Sequence, residues 1–326
     1  MRPGIPYLLT PVLAVDDISY PDRTPVDSVY YLLGRDLEDA HVLLPENTAP
    51  GRAGRYTALA VLARVAFQKE NYHDAAVYAG EILEGPFQLA ATPQDVFDWE
   101  KYDGESIFTV LYQQDEPGSG ELGFVYQEAN CTTDLIQHGY EKVVPPVQLA
   151  KVQAGGYQVV DLRSDTGLIS LYPFVSADTT ACLKYDPERV GFHRRLDLSL
   201  ARLPEFMLMR AEALARLNGP NQESVDMLNR VRSRALRVID AGHKEVPGGA
   251  AYVEFTLADF SSSDVLIEAI IQERRVELAF EGNYFYDLLR LKRPVRGFPF
   301  DTCVLRLPIP QRERDVNKNL VQNPCY

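Results

Sequence analysis

The chain has 326 residues, 46% hydrophobic and 24% charged, so it can bury a full core without disulfides or a metal. Its 46 acidic and 33 basic side chains give a formal net charge of -13. Such a surface repels phosphate backbones and anionic lipid, which excludes nucleic acid as a partner and argues against direct binding to a membrane surface.

Met1-Arg2-Pro3-Gly4 opens the chain without the basic, apolar and small-residue regions of a signal peptide, a start that taken alone reads as cytoplasmic. No run of about 18 apolar residues follows, so no spanning helix is predicted. From about Pro25 to Leu44, Val26, Val29, Tyr30, Leu33, Leu37 and Ala40 recur at spacings of three and four, which predicts a helix ended by Pro45. Arg55 to Leu83 reads as two short helices broken near Asn71. The first is rich in alanine (Ala58, Ala60, Ala63, Ala66), and the second repeats the theme with Tyr72, Ala75, Ala79 and Leu83. Small residues at a helix crossing with an aromatic at the turn describe a tetratricopeptide-like hairpin, and Leu62, Ala63, Tyr72 and Ala75 fall at the offsets of that repeat. A hairpin of this kind needs neighbours to cover its apolar face.

Gly85 to Leu196 is different, with short β-type stretches at Ser106–Tyr112 and Tyr157–Leu162 among Gly, Pro, Asp and Thr. A segment so far beyond ordinary loop length is where ligand contacts are expected. Leu203 to Leu217 then reads as a helix carrying Phe206, Met209, Arg210 and Ala213, stopped by Asn218-Gly219-Pro220. A second helix is predicted over Asn221 to Val238, with Val225, Leu228, Val231 and Ala235 inward. A third is predicted from about Ser263 to Glu281, with serines and Asp264 available as caps and Gly282 placed to end it.

Glu273, Glu277 and Glu281 stand four apart on one helical face, a spacing that invites comparison with the paired carboxylates of glycoside hydrolases. The same stretch interleaves Arg274 and is followed by Asp287 and Arg290, so a self-neutralising ladder is the expected arrangement. Catalytic carboxylates instead need surroundings that push their pKa values apart. Four cysteines (Cys131, Cys182, Cys303, Cys325) form no C-x-x-C pair, which disfavours zinc and leaves buried thiols or one disulfide. The five histidines lack metal or catalytic spacing, and no nucleophile elbow, P-loop or dinucleotide fingerprint occurs. No cofactor, metal or catalytic residue is predicted. Among 18 Tyr, 14 Phe and one Trp, the aromatics of the irregular middle suit sugar faces or a protein interface. Trp99, Tyr102, Tyr126 and Tyr140 are the nominated ligand contacts.

Taken together, these blocks resemble the SusD/RagB family of outer-membrane nutrient-binding lipoproteins over nearly the whole length. Asp36-Leu37-Glu38-Asp39-Ala40 through Leu44-Pro45 is similar to the family's "DL..A...LP" block, and Gly54 through Leu83 to the repeat hairpin that follows it. Glu105-Ser106-Ile107-Phe108 matches "ESIF", Asp161-Leu162-Arg163 matches "D.R", and Ala211-Glu212-Ala213 with Leu228 to Ala235 matches "AEA…LN.VR.RA". The carboxyl end is the most specific part. There Glu273 to Gly282 runs into Tyr286-Asp287-Leu288-Leu289-Arg290, then Leu307-Pro308-Ile309-Pro310 and Asn319 to Tyr326. Tyr284 departs from the family, where arginine is common, and is expected to serve packing.

The resemblance implies a mainly α fold, a tetratricopeptide-like hairpin scaffold with an irregular lobe containing short β elements. The expected parts are 1–85 (helical repeats), 86–196 (ligand-facing lobe) and 197–326 (carboxyl-terminal helical domain). It implies a non-catalytic protein at the cell outer membrane, lidding a SusC-like TonB-dependent transporter and binding oligosaccharide or polysaccharide, or in some relatives peptide. The lipoprotein signal, the lipidated cysteine and a long amino-terminal stretch of the family are expected to lie outside this sequence. Membrane attachment would then come only through that lipid anchor. A helical-repeat scaffold that binds protein partners alone is the alternative.

Overall fold

The computed structural model describes residues 2–49, 51–97, 104–111, 143–163, 169–171, 180–182, 184 and 198–326. The protein is mainly α-helical, and most helices fall where spacing predicts them. Helix α1 spans Val26–Leu43, α2 Arg55–Gln68 and α3 Tyr72–Leu83. Asn71 separates the last two, and its side chain accepts a hydrogen bond from the Asp74 amide at 3.3 Å, capping α3.

Helix α4 (Pro146–Ala154) leads into strand β2 (Gln158–Asp161), and β1 (Ser106–Val110) precedes both. Strands β3 (Ile169–Leu171), β4 (Thr180–Cys182) and β5 (Leu198–Arg202) follow, then helices α5 (Leu203–Asn218) and α6 (Gln222–Ser233). Strand β6 (Leu236–Ile239), α7 (Ser263–Glu277), α8 (Asn283–Arg290) and α9 (Gln311–Val316) complete the described elements. Among the described residues the strands form three antiparallel pairs: β1 with β5, β2 with β6, and β3 with β4.

The core lies where α2 and α3 meet α5, α6 and α7. Ala63, Ala75, Ala79, Ile82, Phe206, Leu228 and Ile270 are fully enclosed there. The alanines perform the predicted task of letting backbones approach. Gly80 goes further, because a Cβ at that position would sit 2.2 Å from Arg210 Nη1. The same nitrogen donates to the Ala76 carbonyl at 2.6 Å, tying α3 to α5. The predicted inner face of α1 is only half-buried, and Tyr31, Val42 and Leu43 are exposed.

Two helix ends differ from expectation. Helix α6 stops at Ser233 rather than Val238, because 236–239 pairs with β2 and buries Leu236 and Val238 in alternation. Strand pairing there overrides the helical spacing, although Val225, Leu228, Val231 and Ala235 are buried as predicted. Helix α7 ends at Glu277, one turn early. Phe280 takes the left-handed conformation (φ 66°), and Gly282 (φ 81°) stands at the start of α8. Ser262 precedes α7 without a side-chain capping bond.

The carboxyl-terminal tail returns to the amino-terminal segment. Arg23 donates to the carbonyls of Gly4 and Val321 at 2.7 and 2.9 Å, and Asn317 to that of Pro21 at 3.0 Å. Of the two readings of the cysteines, one disulfide is found, Cys303–Cys325, which closes the tail across a separation of 22 residues. In the chain-entropy account a loop of this length contributes about 3 kcal/mol. Replacing both cysteines with serine is expected to lower the urea midpoint, with the slope equal or steeper because the denatured chain opens further. An unaltered midpoint would mean that the tail is held by its hydrogen bonds alone.

Candidate functional site

The glutamate stripe of α7 is the concentration of titratable groups where chemistry was weighed, and it is buried. Glu273, Glu277 and Glu281 are joined there by Glu105, which precedes β1, and by Asp161 at the end of β2. Among the described residues five cations face them: Arg163, Lys184, Arg202, Arg232 and Arg234, all buried.

The geometry is that of an interlocked lattice, in which each charge meets an opposite one although the Nε atoms of Arg232 and Arg234 are enclosed without a hydrogen-bond partner. Arg163 donates to Glu273 at 2.5 Å and Glu277 at 3.2 Å, while its other nitrogens grip Asp161 at 2.8 and 2.9 Å. Arg202 reaches Glu105 at 2.6 Å, Glu277 at 3.2 Å and both oxygens of Glu281 at 2.7 Å. Arg234 bridges Glu105 and Glu277. Arg232 donates to Glu273 at 3.3 Å and to the Val253 carbonyl at 3.0 Å.

Lys184 donates to the Glu277 and Ala279 carbonyls, both at 2.9 Å, and to Glu281 at 2.6 Å. Together with an Arg202 bond to the Glu277 carbonyl at 3.1 Å, it closes the carboxyl end of α7 with cations, where the helix dipole favours them. Phe97 lies against the same two cations, 5.1 Å from the Lys184 nitrogen and 5.5 Å from the Arg202 guanidinium.

Burial pushes the Glu277 carboxyl up, but Arg234, Arg202, Arg163 and Lys184 outweigh it and hold the group well below the ordinary carboxylate range. Glu281 is likewise raised by burial and lowered, with net effect downward, by Arg202 and Lys184. Burial lowers Arg163 and Arg202, yet their carboxylate neighbours raise both well above the ordinary arginine value. For Arg232 burial wins and the shift is downward. A general acid working near neutrality needs a carboxyl raised toward that pH, and Glu277 and Glu281 are moved the other way. The arrangement fixes charge and position.

The predicted ladder is therefore right in its neutrality and wrong in its partners. Arg274 does not serve the glutamate stripe. It projects from another face of α7, meeting Asp287 at 3.2 Å and the Glu205 carbonyl at 3.0 Å. It belongs to a second buried network, in which Arg290 binds Glu212 at 2.7 and 3.0 Å and Asp287 at 3.1 Å. The motif blocks of the sequence converge on these two networks: Glu105, Asp161, Arg163, Arg232, Arg234 and Glu277 on the first, Glu212, Asp287 and Arg290 on the second. Lys184 and Arg202 had no signal in the sequence, lying in or beside the irregular segment with no periodic pattern. Tyr284 lies beneath the Arg275 guanidinium at 4.8 Å.

The nominated contacts Trp99, Tyr102, Tyr126 and Tyr140 all lie outside the described residues, as do Cys131, His138 and His193. Among the described residues no group of three or more His, Cys, Asp and Glu is arranged to hold a metal, and no helix is long and apolar enough to cross a membrane.

Comparison with known proteins agrees with the motif reading. The SusD family model, SusD_RagB, matches residues 151–299. SusD-like protein P2 of Formosa agariphila is 27% identical over 370 aligned residues, which cover 99% of this chain and 70% of that protein. SusD-like protein P38 of the same organism is 23% identical, with the same coverage. Among solved structures, a SusD superfamily protein from Parabacteroides distasonis superposes with a TM-score of 0.72 at 19% identity, covering 99% of this chain and 74% of its own. A putative sugar binding protein from Bacteroides vulgatus gives a TM-score of 0.70 at 23% identity, with coverages of 99% and 70%. These structural likenesses establish the mainly α fold.

Proposed function

We propose that the chain, whose residues 151–299 match the SusD family model, is a member of the SusD/RagB family and a non-catalytic glycan- or nutrient-binding subunit of an outer-membrane uptake complex. It delivers oligosaccharide to a SusC-like, TonB-dependent transporter. The observation that carries this reading is the lattice around Glu277. The carboxylates nearest to a glycosidase pair in spacing are enclosed among five cations and joined into the framework.

Arg163 and Lys184 come from the expected lobe (86–196), and both bind glutamates of α7 or the turn after it. If the expected parts hold, the lattice ties the lobe to the carboxyl-terminal part (197–326). A ligand face on that lobe would be held rigid at its base. The structural relative named as a sugar binding protein favours a saccharide ligand. The Cys303–Cys325 disulfide favours an oxidising compartment, as at the cell surface, where attachment is through a lipid anchor.

Titrating the protein with a polysaccharide panel, followed by Trp99 fluorescence and by heat, tests this. Binding of micromolar or weaker affinity to at least one glycan, without turnover, is expected. Alanine at Trp99, Tyr102, Tyr126 or Tyr140 should weaken it, at roughly 1–3 kcal/mol for each ring that stacks. A folded protein silent to every glycan, with a barrel transporter still captured, would instead favour the scaffold reading.

A further inference from the structure

A groove of about 650 Å³ runs between the amino-terminal end of α4 and the outer face of α7, its Phe255 ring packed 4.3 Å from the guanidinium of Arg232, a lattice cation beneath it. Val143, Pro145 and Val147 form one wall, Val265 and Ala269 the other, and Phe255 and Phe260 the floor, their rings 5.1 Å apart. Val147 is 67% exposed and Val265 45%. Such side chains on facing walls are an apolar surface left to solvent.

The polar groups lining it are one-sided. Asp259, Asp264 and Glu268 contribute three carboxylates, of which Asp259 already accepts from the Thr256 amide and hydroxyl at 2.7 and 2.8 Å, and among the described residues no lysine or arginine is in the lining. Lys151 stands near Asp259, and Arg293 pairs with Glu268 at 2.5 Å, both outside the lining. Asp264 is exposed and has no hydrogen bond or ion pair among the described residues. Gln272 donates to Glu268 at 2.7 Å, while its own carbonyl oxygen is enclosed without a hydrogen-bond partner. The groove offers acceptors and aliphatic contact and asks for donors, positive charge and apolar side chains.

We propose that this groove docks a polypeptide segment of another protein, one that presents aliphatic side chains flanked by lysine or arginine. Aliphatic walls over two largely covered rings suit such a segment better than a sugar, which stacks on open aromatic faces. The stretch 112–142, which precedes Val143 in sequence, carries six acidic residues and one basic and so lacks the charge such an occupant needs. A second copy, at a net charge of -13, is repelled as a whole. The proposal stands apart from the glycan reading and does not depend on it.

The test is fluorescence anisotropy of the full chain with a labelled amphipathic leucine–lysine peptide, its leucine–glutamate twin serving as control. Saturable binding of the lysine peptide alone is expected, weakening with salt. Asp264→Lys, and separately Val147→Lys on the other wall, should each weaken it about tenfold; both positions are exposed, so the fold is kept. Unchanged affinity in both variants, equal binding of the glutamate peptide, or no binding of either would overturn the proposal. So would displacement of the peptide by an oligosaccharide, or self-association of the chain that Val147→Lys abolishes.

Discussion

Glu277→Gln is expected to destabilise the protein by about 3–5 kcal/mol, the range for removing one partner from a buried ionic network. Glu277 accepts from Arg163, Arg202 and Arg234, and all three are enclosed. The amide keeps the shape but not the charge, so the guanidiniums face one another with less compensation in a medium of low polarizability. Urea unfolding reads the loss as a lower midpoint. Glu313→Gln, at an exposed helix start, should stay within about 0.5 kcal/mol and serves as control. Combining Glu277→Gln with Arg234→Met should cost less than the sum of the single changes, because the two side chains share one interaction. A Glu277→Gln protein as stable as the parent would mean that the lattice does not hold the fold. If the parent turned over a labelled glycan and Glu277→Gln abolished this, the hydrolase reading would return.

Acid should unfold the protein through the same groups. Glu277 and Glu281 are held below their ordinary value of 4.5 in the fold, so the unfolded chain takes up protons that the folded chain refuses. Their contribution is therefore complete above about 4.5 and is lost progressively as pH falls toward the depressed folded values. Urea midpoints measured from neutral pH downward should stay level, as far as these two groups decide, and then fall. In Glu277→Gln the fall should be shallower, since one of the two depressed carboxyls is gone. Equal slopes in parent and variant would remove Glu277 from the account.

The helical framework was legible because apolar spacing and its punctuation are local. Asn71 between α2 and α3, and Gly219 (φ 79°) after α5, stand where the pattern breaks. The two misplaced ends have local causes as well. Val231, Ala235 and Val238 continue a spacing of four and three across a segment that turns into strand β6, so helix and strand patterns overlap. Gly282 reads as a stop, although Phe280 already leaves the helix and Gly282 begins the next one.

Charge balance in the stripe was legible for the same reason, whereas the partners were not. Arg234 meets Glu105 across 129 positions and Arg163 meets Glu273 across 110. Distances of that kind are decided by how β1, β2 and β5 dock on α7. The separate duty of Arg274 follows from helix geometry, since adjacent residues project about 100° apart and cannot share one face with Glu273 and Glu277. Both networks explain why the motif blocks read as framework: their charged residues are the fastenings between segments distant in sequence.

The central claim is that neither Glu277 nor Glu281 is poised for proton transfer, and carbon-detected NMR titration of their side chains tests it most directly. The account predicts that both take up their protons only below the ordinary value of 4.5 while the protein remains folded. A carboxyl among them that takes up its proton near neutrality would contradict the account and point to a working acid.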